Sequence, residues 1–535
     1  MATRTRILIL GGGFGGVYTA IGLEKRLGRN PDVEIALVSR ENYLVFQPML
    51  PEVISGSIGI VDTITPIRRL CPRTALYTRT IESIDLDRRR ITTGAGFGVR
   101  PCALEYDHLV IALGNVTSFT GAPGLAEHAL PFKYLGDALV LRNRIIHVLE
   151  EADVETDAVE RRALLTFVVA GGGFSGVEVV AELNDFVRRA AKSFNRIRRE
   201  EIRVILLHAG SLILPELPSD LGEFAQRLLV KRGVELRLNT KLQGATAETA
   251  ILAGGERIPT RTVVSTVPSA PNPLVSGLPV RKERGRIVVD DTLQLPGHPG
   301  VWALGDCAYA VDRHTGEAYP PTAQHATRQA ECVAENIAAT VAERPRRAFH
   351  FHALGKMGSL GHRSAVAEVF GVKLSGFVAW WLWRTVYLMK LPGLDRKIRV
   401  AADWTLDLVL PPDIVQLKTD RSFSVRREHF EPGEIVFREG DRGDRLYVVV
   451  DGQVEVVQSQ PDGSEKMLRC LGTGECFGEI ALVSDTARTA TVRTRTAADL
   501  LAVDREAFHA LFGNFPPLRG FVENLIAERL NGTHR

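Results

Sequence analysis

Two glycine clusters with the same internal spacing, Gly11-Gly12-Gly13-Phe14-Gly15-Gly16 and Gly171-Gly172-Gly173-Phe174-Ser175-Gly176, are the residues of this chain best suited to chemistry. In such a pattern the first glycine permits a tight strand-to-helix turn, the second lets backbone approach a pyrophosphate, and the third packs helix on strand. The helix N-terminus that follows offers unsatisfied N–H groups to phosphate charge. A third cluster, Phe477-Gly478-Glu479-Ile480-Ala481 with Arg488-Thr489-Ala490 beyond it, gathers one guanidinium, one carboxylate and a short helix start. A guanidinium and free amides neutralise a phosphate.

The elements that must position these groups are legible on either side. Apolar runs at residues 6–10 and 164–170 precede the two glycine clusters and read as buried parallel strands. After each cluster comes a helical pattern and then a second apolar strand, at residues 33–38 and 204–207. The repeat predicts two Rossmann-like α/β domains and two bound dinucleotides, FAD and a nicotinamide. After Pro411-Pro412, which reads as a linker, long helices give way to short alternating strands. Their turns fall at Glu431-Pro432-Gly433, Glu439-Gly440-Asp441, Asp451-Gly452 and Pro461-Asp462-Gly463. The pattern predicts a small antiparallel β-roll in which residues 446–450 and 454–457 pair as a hairpin about Asp451-Gly452.

The 535 residues suffice for about three domains. Lys plus Arg number 66 against 63 Asp plus Glu, so the overall charge gives no argument for a nucleic-acid partner. The apolar run at residues 7–10 is too short for the core of a signal peptide. Six cysteines without a C-x-x-C pair fit a reduced compartment and exclude the redox dithiol of a flavin disulfide reductase. No metal ligand set is expected.

Residues 106–114, ending at Gly114, and residues 301–308, containing Asp306, resemble the A-T-G and G-D motifs of the two-dinucleotide-domain flavoproteins. The resemblance implies that Asp306 accepts a hydrogen bond from the flavin's ribityl chain; read alone, Asp306 could cap a helix. Residues 42–53, Gly176-Val177-Glu178 and Ala323-Gln324-His325-Ala326 resemble the type II NADH dehydrogenases, a likeness covering residues 1–415. It implies a non-proton-pumping NADH:quinone oxidoreductase in which hydride passes from NADH to FAD and then to quinone, in ping-pong order. Glu178 would lie near nicotinamide and flavin, and Gln324 would hydrogen-bond the quinone. Their alternatives are a carboxylate complementing a helix dipole and a helix-start amide. Where the family has a second Gln two residues after A-Q-x-A, this chain has Arg328 and then Gln329. Ser39, with Glu41 two residues on, and His208 stand where a ribose-binding acid is expected. Neither position carries an arginine cluster for a 2′-phosphate, which favours NADH over NADPH.

Residues 374–383 form a charge-free stretch with three of the five tryptophans, followed by Arg384, Lys390, Arg396, Lys397 and Arg399. Aromatic anchors with cations suit a helix lying in the headgroup layer; a core or dimer-interface helix is the alternative. A spanning helix is disfavoured by Arg384.

The cluster from Phe477 to Val492 resembles the phosphate cassette of cyclic nucleotide-binding domains, over residues 420–535. Arg488 would neutralise the cyclic phosphate of cAMP or cGMP, and Thr489 after it leans toward cGMP. Residues 505–530 read as helices, with no helix-turn-helix beyond them and so no DNA binding expected.

The expected organisation is FAD-binding residues 1–118 and 284–345, NADH-binding residues 119–283, a membrane-associated region at 346–415 and a cyclic nucleotide-binding domain at 418–535. FAD contacts are assigned to Gly11, Gly12, Gly13, Phe14, Gly15, Gly16, Ser39, Gly114 and Asp306, and NADH contacts to Gly171, Gly173, Gly176 and His208. The cyclic nucleotide falls to Phe477, Gly478, Glu479, Ile480, Ala481, Arg488, Thr489 and Ala490. A peripheral homodimer on the cytoplasmic face of the membrane is expected, regulated by the nucleotide. Two rival readings are a sulfide:quinone oxidoreductase, for which Cys71, Cys102 and Cys332 form no evident relay, and a non-catalytic flavin-containing receptor.

Overall fold

The computed structural model describes residues 4–94, 102–119, 122–267, 269–417, 425–441, 443–460, 462, 464–484, 486–505 and 508. The helices expected from residue 505 onward lie almost entirely outside these residues.

Each glycine cluster follows the central strand of a five-stranded parallel sheet. In the first, Thr5–Leu10 lies between His108–Ile111 and Val33–Ser39, with Val301–Ala303 and Ala75–Thr78 at the edges. In the second, Thr166–Ala170 lies between Thr262–Ser265 and Arg203–Leu207, flanked by Ala129–Pro131 and Val234–Arg237. Strands buried on both faces carry unbroken apolar runs, and Ile7, Leu8, Ile9 and Leu10 are all fully buried. Ligands of open α/β sheets bind beyond the carboxyl ends of such strands, where both glycine clusters stand. The edge strand Val301–Ala303 and the helix Ala323–Val341 return to the first sheet after the second is complete. Gly22 lets that helix approach the helix Phe14–Leu27, since a Cβ there would lie 2.8 Å from the Ala334 Cβ.

Three antiparallel strands, Gly355–Ser359, Ala365–Val369 and Val372–Ser375, lead into helices Gly376–Lys390 and Leu394–Leu406. The aromatic stretch does not form one outward face. Trp380 and Trp383 are buried with Trp404, Phe46, Met49 and Ile58 in a core cluster, while Trp381 is 59% exposed. Arg384 likewise turns inward, with a side chain 13% exposed. Trp380 and Trp383, three residues apart, share one side of the helix and Trp381 lies about 100° round from Trp380, so one helix can serve both a core and a surface. Among the described residues no helix is long and apolar enough to cross a membrane.

The C-terminal roll consists of two four-stranded antiparallel sheets, and here the expected hairpin is overturned. Arg445–Asp451 pairs with Ala498–Asp504 and Cys476–Phe477, whereas Val454–Ser459 pairs with Glu465–Leu471 and Thr491–Thr494. Asp451-Gly452 is a crossover between sheets. Gly452 has φ +86°, and a Cβ there would lie 2.2 Å from the Ala497 carbonyl oxygen, so the chain bends tightly against the next strand. The hairpin partner of Val454–Ser459 is instead Glu465–Leu471.

Candidate functional sites

The two glycine turns are built alike. Gly11 and Gly171 have φ of +111° and +122°, the region open to glycine. A Cβ on Gly16 would stand 1.9 Å from the Gly11 carbonyl oxygen, and one on Gly176 would stand 1.8 Å from that of Gly171. These close approaches start the helices Phe14–Leu27 and Phe174–Ala190, each with an extended glycine at its N-cap.

The first turn opens on a cavity of about 700 Å³, a size usual for a cofactor site. Gly11, Gly12, Gly13, Phe14, Gly15, Ser39, Glu41, Gly114 and Asp306 line it, together with Gln47, Lys133 and the start of the helix Ala323–Val341. Ser39 packs its hydroxyl against Gly12, where a Cβ would come within 2.2 Å of Oγ. Burial raises the Asp306 carboxyl, with Lys133 and Arg286 opposing. Gln329, 3% exposed, accepts the Gly305 N–H at 2.7 Å and so holds the turn that carries Asp306. Arg328 is outside the cavity, its guanidinium 5.6 Å over the Phe351 ring. At the second turn His208 Nδ1 accepts the Gly172 N–H at 3.2 Å, and Glu216 Oε1 lies 3.3 Å from the place of a Gly173 Cβ.

Glu178 and Gln324, far apart in sequence, meet the two ends of one strand. Glu178 Oε1 accepts the Ser359 N–H at 3.0 Å, and Gln324 Nε2 donates to the Gly355 carbonyl at 3.1 Å. Burial pushes the Glu178 carboxyl up to about 8, although the Ser359 N–H favours its charged form. One helical turn further, Glu182 is 6% exposed and shifted upward by burial and by the nearby Glu52 and Asp185. Glu52 is 3% exposed, accepts the Trp404 Nε1–H at 2.8 Å, and faces Arg384 Nη2 at 3.5 Å. Burial raises Glu52 as well, against the opposing charge of Arg384. The Arg384 guanidinium lies 4.2 Å over the Trp380 ring and 4.5 Å over the Trp404 ring. Nearby, the Ser55 hydroxyl donates to the Glu52 carbonyl at 3.1 Å and lies 3.0 Å from Ser57 Oγ, which donates to Asp407 Oδ2 at 3.1 Å. Sequence reasoning missed Glu52 and Glu182. The signals were present, Glu52 within the segment 42–53 and Glu182 four residues after Glu178.

The roll encloses a second cavity of about 560 Å³. Phe477, Gly478, Glu479, Ile480, Ala481, Arg488, Thr489 and Ala490 all line it. Gln458 and residues 466–469 line it too, and sequence reasoning missed them because they reach it across the hairpin. Arg488 is 3% exposed and donates to the Gly478 and Arg445 carbonyls, both at 2.8 Å. Its guanidinium lies 4.0 Å over the Phe437 ring, and its Nη2 reaches Asp444 Oδ1 at 3.3 Å. Its buried Nε has no partner among the described residues, which leaves a charge-assisted donor available for an anion. Gly478, at φ +84°, cannot carry a side chain, since a Cβ would meet Arg488 Nη1 at 2.6 Å.

Comparison with known proteins follows the same division. Residues 5–330 match the family model of the pyridine nucleotide-disulphide oxidoreductases, residues 353–409 the NDH2 C-terminal domain, and residues 427–515 the cyclic nucleotide-binding domain. The chain is 32% identical to the type II NADH:quinone oxidoreductase NdhA of Mycobacterium tuberculosis over 425 residues, 76% of this chain and 87% of that protein. It is also 32% identical to the demethylphylloquinone reductase NdbB of Synechocystis over 410 residues, 75% of this chain and 96% of that one. The solved structure of NDH2 from Plasmodium falciparum in complex with NADH shares its fold, with a TM-score of 0.71 at 18% identity, covering 77% of this chain and all of that one.

Proposed function

This chain belongs to the type II NADH:quinone oxidoreductases, and we propose that it works as one, with FAD as cofactor and a cyclic nucleotide as effector. The observation that carries the reading is the strand Gly355–Ser359, which ties Glu178 of the second dinucleotide domain to Gln324, the residue after Ala323 of the first cavity's lining. When bound, FAD supplies the two-electron chemistry between NADH and quinone. The first glycine turn, Ser39, Gly114 and Asp306 would hold FAD, and the fit is supported by a cavity of cofactor size lined by that turn, whose Gly11, Gly12, Gly15 and Gly16 have no room for a Cβ. Gly171, Gly173, Gly176 and His208 would hold NADH. The overall reaction, NADH + H⁺ + quinone giving NAD⁺ + quinol, takes one proton from solution. Glu178 holds a proton up to about pH 8 at one end of that strand and can donate to a quinone oxygen as it gains negative charge, while Gln324 offers an amide at the other end for a separate polar contact. The test is the absorbance spectrum of purified protein: NADH should bleach a flavin band and a quinone restore it. A colourless protein that takes up no flavin would refute the reading.

The membrane contact is proposed on Phe377, Val378, Trp381, Met389, Leu394 and Ile398, all between 59% and 74% exposed on two successive helices. Lys390, Lys397 and Arg399 supply cations beside them. Flotation with anionic vesicles, compared with neutral ones, tests it. The proposed address is peripheral, on the cytoplasmic face where NADH is available, and sedimentation tests the expected homodimer.

Regulation is proposed through the seat of the roll on the second dinucleotide domain. His128 Nε2 lies 2.9 Å from both the amide nitrogen and the carbonyl oxygen of His429. Arg257 reaches Glu431 at 3.8 Å and Glu434 at 3.9 Å, and Arg427 reaches Glu127 at 3.8 Å. A nucleotide phosphate at Arg488 would compete with Asp444 for the guanidinium and bias that seat. Coupling of about 1–3 kcal/mol would change NADH affinity about 5- to 150-fold. Unchanged NADH kinetics in protein that binds cAMP or cGMP would refute regulation without touching the enzyme assignment.

A further inference from the structure

We propose that Asp312, His314 and His350, none of which lines either nucleotide cavity, form a site for a divalent transition-metal cation of the zinc type. Asp312 and His314 stand on a turn closed by the bridge between Val311 and Ala318. Asp312 is 5% exposed, and its Oδ1 accepts the His314 backbone N–H at 2.9 Å. Arg313, between them, pairs with Asp291 and not with Asp312, whose carboxylate is shared by the imidazoles and the nearby Tyr319 hydroxyl.

The third ligand arrives from a different part of the chain. Phe349, 7% exposed, packs edge-on to Tyr319 with ring centroids 4.9 Å apart, and Phe351 does the same to His325 at 5.3 Å. These anchors alternate with His350 and His352, so an extended chain turns both imidazoles to the opposite side. His350 Nδ1 lies 3.6 Å from Asp312 Oδ1, and the His314 and His350 rings stand 4.8 Å apart at 73°. One ligand atom from each of Asp312, His314 and His350 falls within 4.8 Å of the others. Zinc bonds of about 2.0–2.1 Å in tetrahedral array separate donors by roughly 3.3 Å, so modest rotation of two exposed imidazoles closes the set. Imidazole with carboxylate suits zinc or its neighbours better than calcium or magnesium, which take oxygen ligands.

His352 completes the arrangement from behind. Its Nε2 lies 3.2 Å from His350 Nε2, the nitrogen that faces away from Asp312. With the cation on Nδ1, His350 carries its proton on Nε2 and donates to His352, which fixes tautomer and ring orientation. No ligand spacing announced this in the sequence, because the two segments lie some 36 residues apart and meet only through the Phe349–Tyr319 packing.

The experiment is calorimetric titration of the chelator-treated, tag-free holoprotein with Zn²⁺, and with Mg²⁺ and Ca²⁺ in parallel. One equivalent of Zn²⁺ should bind with micromolar or tighter affinity, while the other two ions should not compete. His314→Ala and His350→Ala should each weaken binding at least about 10-fold, and His352→Ala about 10-fold through orientation alone. Zn²⁺ should raise the Tm of the wild type but not of His314→Ala/His350→Ala. Flavin content and NADH bleaching of the variants check that they fold. Absence of micromolar binding, or binding unchanged in the double variant, would overturn the site.

Discussion

Replacing Glu178 by Gln keeps the shape of the side chain and the bond from the Ser359 N–H but removes the titrating proton. In the wild type, burial moves this carboxyl from 4.5 to about 8, and at about 1.36 kcal/mol per unit the fold prefers the neutral acid by roughly 5 kcal/mol. Two consequences follow, of opposite sign in their effect on the variant. The proton is present below about pH 8 and lost above it, so quinone reduction by the wild type should fall as pH rises through that value. Glu178→Gln should have a flat profile in this range and a quinone rate lowered about 10²-fold or more at pH 7, the usual scale for loss of a general acid. Reduction of ferricyanide, a one-electron acceptor that takes no proton, should be nearly unchanged. Stability runs the other way. A carboxyl whose folded-state affinity for protons exceeds its unfolded one contributes most below about pH 4.5, and that contribution disappears as pH rises through about 8. Hence Glu178→Gln should unfold at a higher temperature than the wild type at pH 9 and show little advantage at pH 5. Steady-state assays with a soluble quinone and with ferricyanide from pH 6 to 9, beside thermal melts, read both effects. A variant that keeps the wild-type quinone rate and its fall near pH 8 would refute the proton assignment.

Other outcomes follow from the same geometry. Gly16→Ala sets a methyl 1.9 Å from the Gly11 carbonyl oxygen, and the protein should purify without flavin colour. Gly176→Ala meets the Gly171 oxygen at 1.8 Å and should keep the flavin while raising the KM for NADH. Arg384→Leu strands Glu52 without its counter-charge and should cost about 3–5 kcal/mol in denaturant melts, less as pH falls and the carboxyl, already raised by burial, takes up a proton; Glu52→Gln in the same chain should recover part of the loss. Arg488→Gln removes the buried cation of the roll and should abolish cAMP and cGMP binding in calorimetry while leaving basal NADH oxidation intact.

The legible parts of this protein are those whose physics is local. A glycine turn between an apolar strand and a helix requires only its neighbours in the chain, so both dinucleotide folds and the cassette at residues 477–490 could be read from spacing. The failures share a cause. Asp451-Gly452 carries an ordinary hairpin signal, yet Gly452 sits against Ala497 and the two strands enter different sheets, a choice made by partners more than 30 residues away. The tryptophans of residues 380–383 are equally apolar in any order, and the packing of Phe46, Met49 and Trp404 settles which of them turn inward.

Spacing thus marked out the two glycine turns between strand and helix, and the resemblances carried by short motifs supplied the expected domain order and the arginine of the roll. Tertiary structure decided which acids act together. Glu52, Glu178 and Glu182 share a water-poor space with Arg384 only because helices and a strand from three separate regions converge there, and desolvation, which moves their proton affinities, has no counterpart in an extended chain. Turn geometry is a property of a few consecutive residues; burial is a property of everything packed around them.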